Sequence, residues 1–343
     1  MQMAAAYLQW KPSRLRIGIL GSQTTFSIPI QFADKPENVN KFSGNRLTHT
    51  SADWKWLYGR MYLFGEVGYE WQKKATALTA GMQVQAADGL LWIIQFRNIT
   101  PKWYAPYSQP FSETGREGER GIYLGLNWQL PKHFNVAFYA DHFQYTWLRS
   151  NLNRPGTGRD YMLQLNFVPR SISTYVRFRF QERLRTLSSE ETIKPAAMET
   201  RVTARWHATY NINQQIALQT RIEWAESKHE TTSNGFLGFV GTRIYLTKKW
   251  QLRLRYILFD TQCFSSAIYA YEDDLPYSFT VPAYFNTGSK WYVLASYKIN
   301  SAIECWVRIS DVVYPDLTSL GSGNDLISEG RRTEIKAMMR FTF

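Results

Sequence analysis

Along most of this chain apolar and polar residues alternate at period two in runs of about ten residues, the pattern of strands with one oily and one polar face. The clearest run is 175–183, where Val176, Phe178 and Phe180 share one face and Arg177, Arg179 and Gln181 the other. Similar alternation recurs in 201–210, 215–224, 251–256, 304–310 and 334–343. A soluble sandwich seldom sustains this over so many long segments. The pattern therefore predicts an all-β protein, a large antiparallel transmembrane β-barrel of about 16 to 18 strands with short periplasmic turns and long extracellular loops.

Turn chemistry divides the runs. Short turns are expected at Lys11-Pro12, Tyr58-Gly59-Arg60, Ala87-Asp88, Pro131-Lys132, Pro169-Arg170, Asn211 to Asn213, Lys248-Lys249 and Asn300-Ser301. Long connections are expected over 24–42, 99–119, 148–159, 184–196, 261–287 and 314–330, with a shorter one near Lys73-Lys74. This scheme gives about 17 strands, the first and last both descending to the periplasm, whereas single-chain bacterial barrels normally carry an even number. The expectation is one barrel domain over 1–343 with a further strand and an export signal upstream of Met1. Residues 1–12 show no basic leader region, uninterrupted apolar core or small-residue cleavage site.

Composition agrees with strands rather than membrane helices. The chain has 343 residues, 44% hydrophobic and 16% aromatic, yet stretches such as 89–96 fall far short of the roughly 20 apolar residues of a spanning helix. Strand parity turns Trp206, Trp224, Phe178, Phe180, Phe341 and Phe343 toward lipid, with Trp and Tyr near strand ends forming interfacial girdles. The implied setting is the bacterial outer membrane, with its lipid and lipopolysaccharide. In the last strand Ile335, Ala337, Met339, Phe341 and Phe343 lie on one face, and Glu334, Lys336, Arg340 and Thr342 on the other. A terminal amphipathic strand ending in Phe resembles the signal read by the barrel insertion machinery, which assigns Phe341 and Phe343 to that signal.

Net charge is +12, but the basic residues are dispersed among alternating segments and form no run typical of a nucleic-acid-binding arm. Parity places Glu66, Gln95, Arg97, Arg177, Arg179, Arg205, Arg221, Glu223, Arg253, Arg255, Glu304, Arg308 and Arg340 toward the lumen. A water-filled lumen so lined attracts anionic solutes. The alternative is that Arg and Glu from facing strands pair into a network that fills it. The segment 261–287, rich in Tyr and Phe and containing Pro276 and Pro282, either folds inward as a constriction or projects as a partner surface.

No residue set points to catalysis, a cofactor or a metal. The histidines are His49, His133, His142, His207 and His229, none in a nucleophile motif. Cys263 and Cys305 are read as free thiols, Cys305 on the lipid-facing parity of Ile303, Val307 and Ile309. Glu272, Asp273 and Asp274 lack the alternate-ligand spacing of a calcium loop, so a solvated loop or salt bridges to neighbouring Arg are expected there.

Several motifs occur in order along the chain: Phe64-Gly65-Glu66, Gly121-Ile122-Tyr123-Leu124-Gly125, Asp141 to Arg149 (DHFQYTWLR), Phe259-Asp260, Tyr269 to Asp274 (YAYEDD), Tyr277 to Tyr284 (YSFTVPAY) and Gly321-Ser322-Gly323. Together they resemble the barrel region of Bacteroidota outer-membrane proteins described as helix-hairpin-helix domain-containing. That resemblance implies a barrel preceded by small DNA-binding repeats similar to those of competence proteins, and with them DNA handling at the envelope. The present chain contains no such repeat, and Thr146 stands where the resemblance leads one to expect Pro. The functional expectation is a channel or transport-related pore, with an occluded barrel serving as scaffold or DNA-handling component of an envelope complex as the alternative, and an outer-membrane enzyme as a third, disfavoured one. Anionic solutes or DNA, and other envelope proteins, are the partners these readings name.

Overall fold

The computed structural model describes all residues except 114, 116, 117, 151, 189–193, 280 and 343. Its strands are β1 (Gln2–Trp10), β2 (Leu15–Ile30), β3 (Gly44–Tyr58), β4 (Met61–Glu70), β5 (Ala75–Ala87), β6 (Leu90–Ile99), β7 (Glu119–Gln129), β8 (Phe134–Tyr145), β9 (Thr157–Phe167), β10 (Ile172–Thr186), β11 (Ala196–Asn211), β12 (Ile216–Lys228), β13 (Thr232–Tyr245), β14 (Trp250–Thr261), β15 (Ile268–Tyr269), β16 (Ala283–Tyr284), β17 (Asn286–Lys298), β18 (Ile303–Val313) and β19 (Arg331–Phe341). Seventeen of them belong to one sheet, and β15 and β16 pair only with each other.

The chain divides into two compact units. One comprises Met1–Leu130, Val136–Leu163 and Phe180–Thr200, and the other Pro131–Asn135, Gln164–Arg179 and Arg201–Phe343. In the first, β1 to β7 pair consecutively and antiparallel. In the second, β12, β13, β14, β17, β18 and β19 do the same.

Alternation in sequence becomes alternation in exposure, with the sense opposite to that of a soluble sheet. In β12, Arg221, Glu223 and Ser227 are buried while Leu218, Ile222 and Trp224 are exposed. In β6, Arg97 is buried and Trp92, Ile94 and Phe96 are exposed. Water does not tolerate such a continuous apolar face, but hydrocarbon does, and closed strand ladders satisfy the backbone there. Trp206, Phe178 and Phe341 are exposed on this face as expected, Phe180 is half-buried, and Phe343 lies outside the described residues.

Each short turn anticipated from sequence falls between two strands. Some use a left-handed residue, such as Gly59 at φ 56° and Gly89 at φ 76°. Others use a side-chain oxygen as acceptor: Asn213 Oδ1 from the N–H groups of Gln215 and Ile216, and Asn300 Oδ1 from those of Ala302 and Ile303. The long connection expected over 24–42 is shorter, because β2 continues to Ile30 and β3 begins at Gly44. Thr24, Thr25 and Ile28 are β-branched and sustain the strand. A tight connection at 229–231 joins β12 to β13 with no Gly or Pro to announce it.

Candidate functional site

Within the second unit, 262–279 and 281–285 fold back against the polar face of the sheet instead of projecting from the strand ends. Their core is a small ribbon: Ile268 pairs with Tyr284 and Tyr269 with Ala283, and the Ala270 N–H donates to Pro282 O at 3.4 Å. Such a ribbon has a free edge whose carbonyls need donors once water is excluded. Arginines supply them. Arg201 Nη2 donates to Ala267 O at 2.6 Å, Arg221 Nη2 to Tyr269 O at 3.1 Å, Arg255 Nη1 to Tyr271 O at 2.6 Å and Arg308 Nε to Asp273 O at 3.0 Å. These side chains come from β11, β12, β14 and β18, and they take every second carbonyl, as expected for an extended segment whose successive C=O groups point to opposite sides. Ile268, Ala270 and Glu272 are buried, while Tyr269 and Tyr271 remain exposed. The loop enters beside Gly235, where an added Cβ would come within 2.4 Å of Ser266 O.

The acidic run completes the grip. Contrary to the sequence expectation of a solvated loop, Glu272 is only 1% exposed. Its carboxylate accepts from Lys290 Nζ at 2.6 Å, from Arg308 Nη2 and from Tyr284 Oη. Asp273 accepts from Arg253 Nη1 at 2.7 Å and from Tyr292 Oη at 3.0 Å, and its Oδ2 lies 3.5 Å from Arg255 Nη2. Asp274 pairs with Lys336 at 3.1 Å. The salt-bridge expectation for this run therefore holds, through several cations at once. Burial and the neighbouring Glu272 charge push the Tyr284 phenol well above its ordinary value, so it stays a proton donor to that carboxylate throughout the physiological range.

Other lumen candidates lie on the same polar face and are also engaged. Arg205 binds Glu223 through two bonds at 2.9 and 2.8 Å, and Arg221 adds a third. Arg340 pairs with Glu304 at 2.7 Å, and Arg177 Nε donates to Gln164 Oε1 at 2.6 Å. Arg179 is half-buried on that face. His207, anticipated on it too, sits between the rings of Tyr175 and Phe239. Sequence reasoning missed Arg201, Lys290, Tyr284 and Tyr292. Parity alone identifies the strand residues, but only the loop's path shows what they hold.

The first unit has a separate cluster. Arg97, 1% exposed, donates to Glu119 at 2.6 Å and to both oxygens of Asp141 at 2.8 and 3.0 Å. Segment 100–113 folds back over β4 to β6: Trp103 packs with Ala75, Ile99 and Ala105, and Glu113 reaches Arg183 at 2.7 Å. Trp103 lies flush on Gly68, where an added Cβ would meet the indole at 2.5 Å. Gly68→Val is expected to lift the indole and destabilise the protein by about 1–3 kcal/mol, measured as a lower urea midpoint; an unchanged midpoint would show that Trp103 is not held there.

Cys263 and Cys305 are free, and among the described residues no group of His, Cys, Asp or Glu is placed to hold a metal ion. No family model matches the chain, and no curated protein does. Solved structures do. The copper transporter OprC aligns over 92% of this chain and 60% of its own, with 10% identity and a TM-score of 0.52. The FrpB iron transporter from Neisseria meningitidis aligns over 91% and 59%, with 7% identity and a TM-score of 0.48. An anion-selective porin from Comamonas acidovorans aligns over the full length of both chains, with 9% identity and a TM-score of 0.46. With its exposed apolar face and paired antiparallel strands, the chain has the fold of a bacterial outer-membrane β-barrel.

Proposed function

We propose that this protein is an outer-membrane channel whose permeability is set by loop 262–285. One observation carries the reading: the loop is fastened to the polar face by arginine-to-carbonyl bonds and by the Glu272, Asp273 and Asp274 ion pairs. A loop held this way narrows the space beside the strands that carry it and cancels charge that would otherwise attract anions. The Arg-lined wall read from sequence is thus a masked one, and selectivity of the resting channel is weak. No catalytic step enters this reading: His49 contacts the Tyr104 carbonyl, His142 the Tyr161 phenol and His207 aromatic rings.

The test is single-channel recording of the purified, refolded protein in planar bilayers, with reversal potentials under a KCl gradient. Small, stable steps with weak ion preference are expected. A folded, inserted but silent protein would contradict the reading and favour the second one, an occluded barrel serving as scaffold or DNA-handling component of an envelope complex. Burial of the Arg97, Glu119 and Asp141 network favours that second reading.

A further inference from the structure

Beneath segment 103–111, in the first unit, lie two neighbouring cavities of about 280 and about 300 Å³. Both are lined by Glu66, Trp103 and Ser108; Phe111 adds a ring to one and Tyr107 to the other. Their walls are otherwise largely apolar, through side chains such as Leu20, Leu47 and Ile99. A concave, mostly apolar space with a few converging polar groups is the usual form of a small-molecule site.

The charges around it are unbalanced. Register places Asp53, Glu66, Thr79 and Arg97 in one row across β3 to β6. Asp53 is held by Arg16 at 2.9 Å and by Tyr7 Oη at 3.0 Å. Arg97 faces two carboxylates, Glu119 and Asp141. Glu66, exposed into both cavities, has no hydrogen-bond donor or cation on its carboxylate among the described residues. Arg97 lines the smaller cavity, with its guanidinium 5.6 Å from the Phe111 ring centroid, but it is engaged by two carboxylates, so that carboxylates outnumber guanidinium groups around Glu66. A carboxylate beside Trp and Phe rings complements a cation with an organic body, because ring faces and carboxylate attract the same charge.

We propose that these cavities form a binding site for a small organic cation of the ammonium class, with Glu66 as its counter-charge and Trp103 and Phe111 as its aromatic walls. All the lining residues belong to the first unit. An anion is disfavoured there, although the chain as a whole is basic.

The test is calorimetric titration of the refolded full chain in detergent with benzyltrimethylammonium, and with benzenesulfonate as an anionic probe of similar size. Saturable binding of the cation is expected, with no saturable binding of the anion. Glu66→Gln keeps side-chain shape and is expected to weaken the cation about tenfold or more, and Phe111→Ala by a few-fold; strand content and heat-modifiable gel mobility check that each variant is folded. Absence of cation binding, equal binding of both probes, or cation binding unaffected by Glu66→Gln in a folded variant would each overturn the proposal.

Discussion

Neutralising the acidic run, with Glu272→Gln, Asp273→Asn and Asp274→Asn combined, is expected to raise single-channel conductance roughly twofold or more and to shift selectivity toward anions. The amides keep much of the side-chain shape but remove the charges opposite Arg253, Arg255, Lys290, Arg308 and Lys336. Buried cations that lose their counter-charge regain stability by reaching water, and here that requires the loop to leave the wall. The carbonyl bonds to Arg221, Arg255 and Arg308 remain available but are neutral-acceptor bonds, each worth less than the ion pair it accompanied. Both effects act in one direction: more space, and a wall whose positive charge is no longer cancelled. Current amplitudes and reversal potentials in asymmetric KCl measure them separately. Unchanged values of both in a folded variant would mean that the loop does not govern passage.

Arg97→Met is expected to destabilise the protein by about 3–5 kcal/mol, because it removes the guanidinium that Glu119 and Asp141 share in a buried site. The Glu119 side chain is 0% exposed and that of Asp141 11%. Adding Glu119→Gln and Asp141→Asn to the same chain is expected to recover much of the loss, since apolar and amide groups of similar shape replace a buried ion pair at little net cost. Equilibrium urea unfolding in detergent, read as the shift in midpoint, checks both variants. Equal midpoints for wild type and Arg97→Met would show that the cluster is not buried in the folded protein.

The strands and tight turns were legible because they follow from local chemistry. Period-two alternation marks β10 and β12 directly, and Asn213 and Asn300 bend the chain through their own side chains. Arg253, Arg255 and Arg308 were assigned to the polar face by parity alone, which is a local property. What they bind was not legible, because their partners lie in a segment without periodicity whose path depends on contacts distant in sequence: Arg308 meets Glu272 across 36 residues. The run 272–274 illustrates the ambiguity, since three consecutive acids read equally as a solvated loop until opposing cations on four strands are placed around them. Glu66 was assigned to the polar face, but nothing local distinguishes an unpaired carboxylate in a cavity from one in a salt bridge.

The central claim, that loop 262–285 lies against the polar face of its own unit, is tested most directly by a short bifunctional thiol crosslinker. Ser278 on the loop and Ser296 on β17 line one cavity of about 250 Å³. In a Cys263→Ser, Cys305→Ala background, Ser278→Cys and Ser296→Cys together are expected to give an efficient intramolecular crosslink in the folded, bilayer-inserted protein, with conductance left at its uncrosslinked value. Modification of each single cysteine without a crosslink in the double variant would place the loop away from the wall and contradict the account.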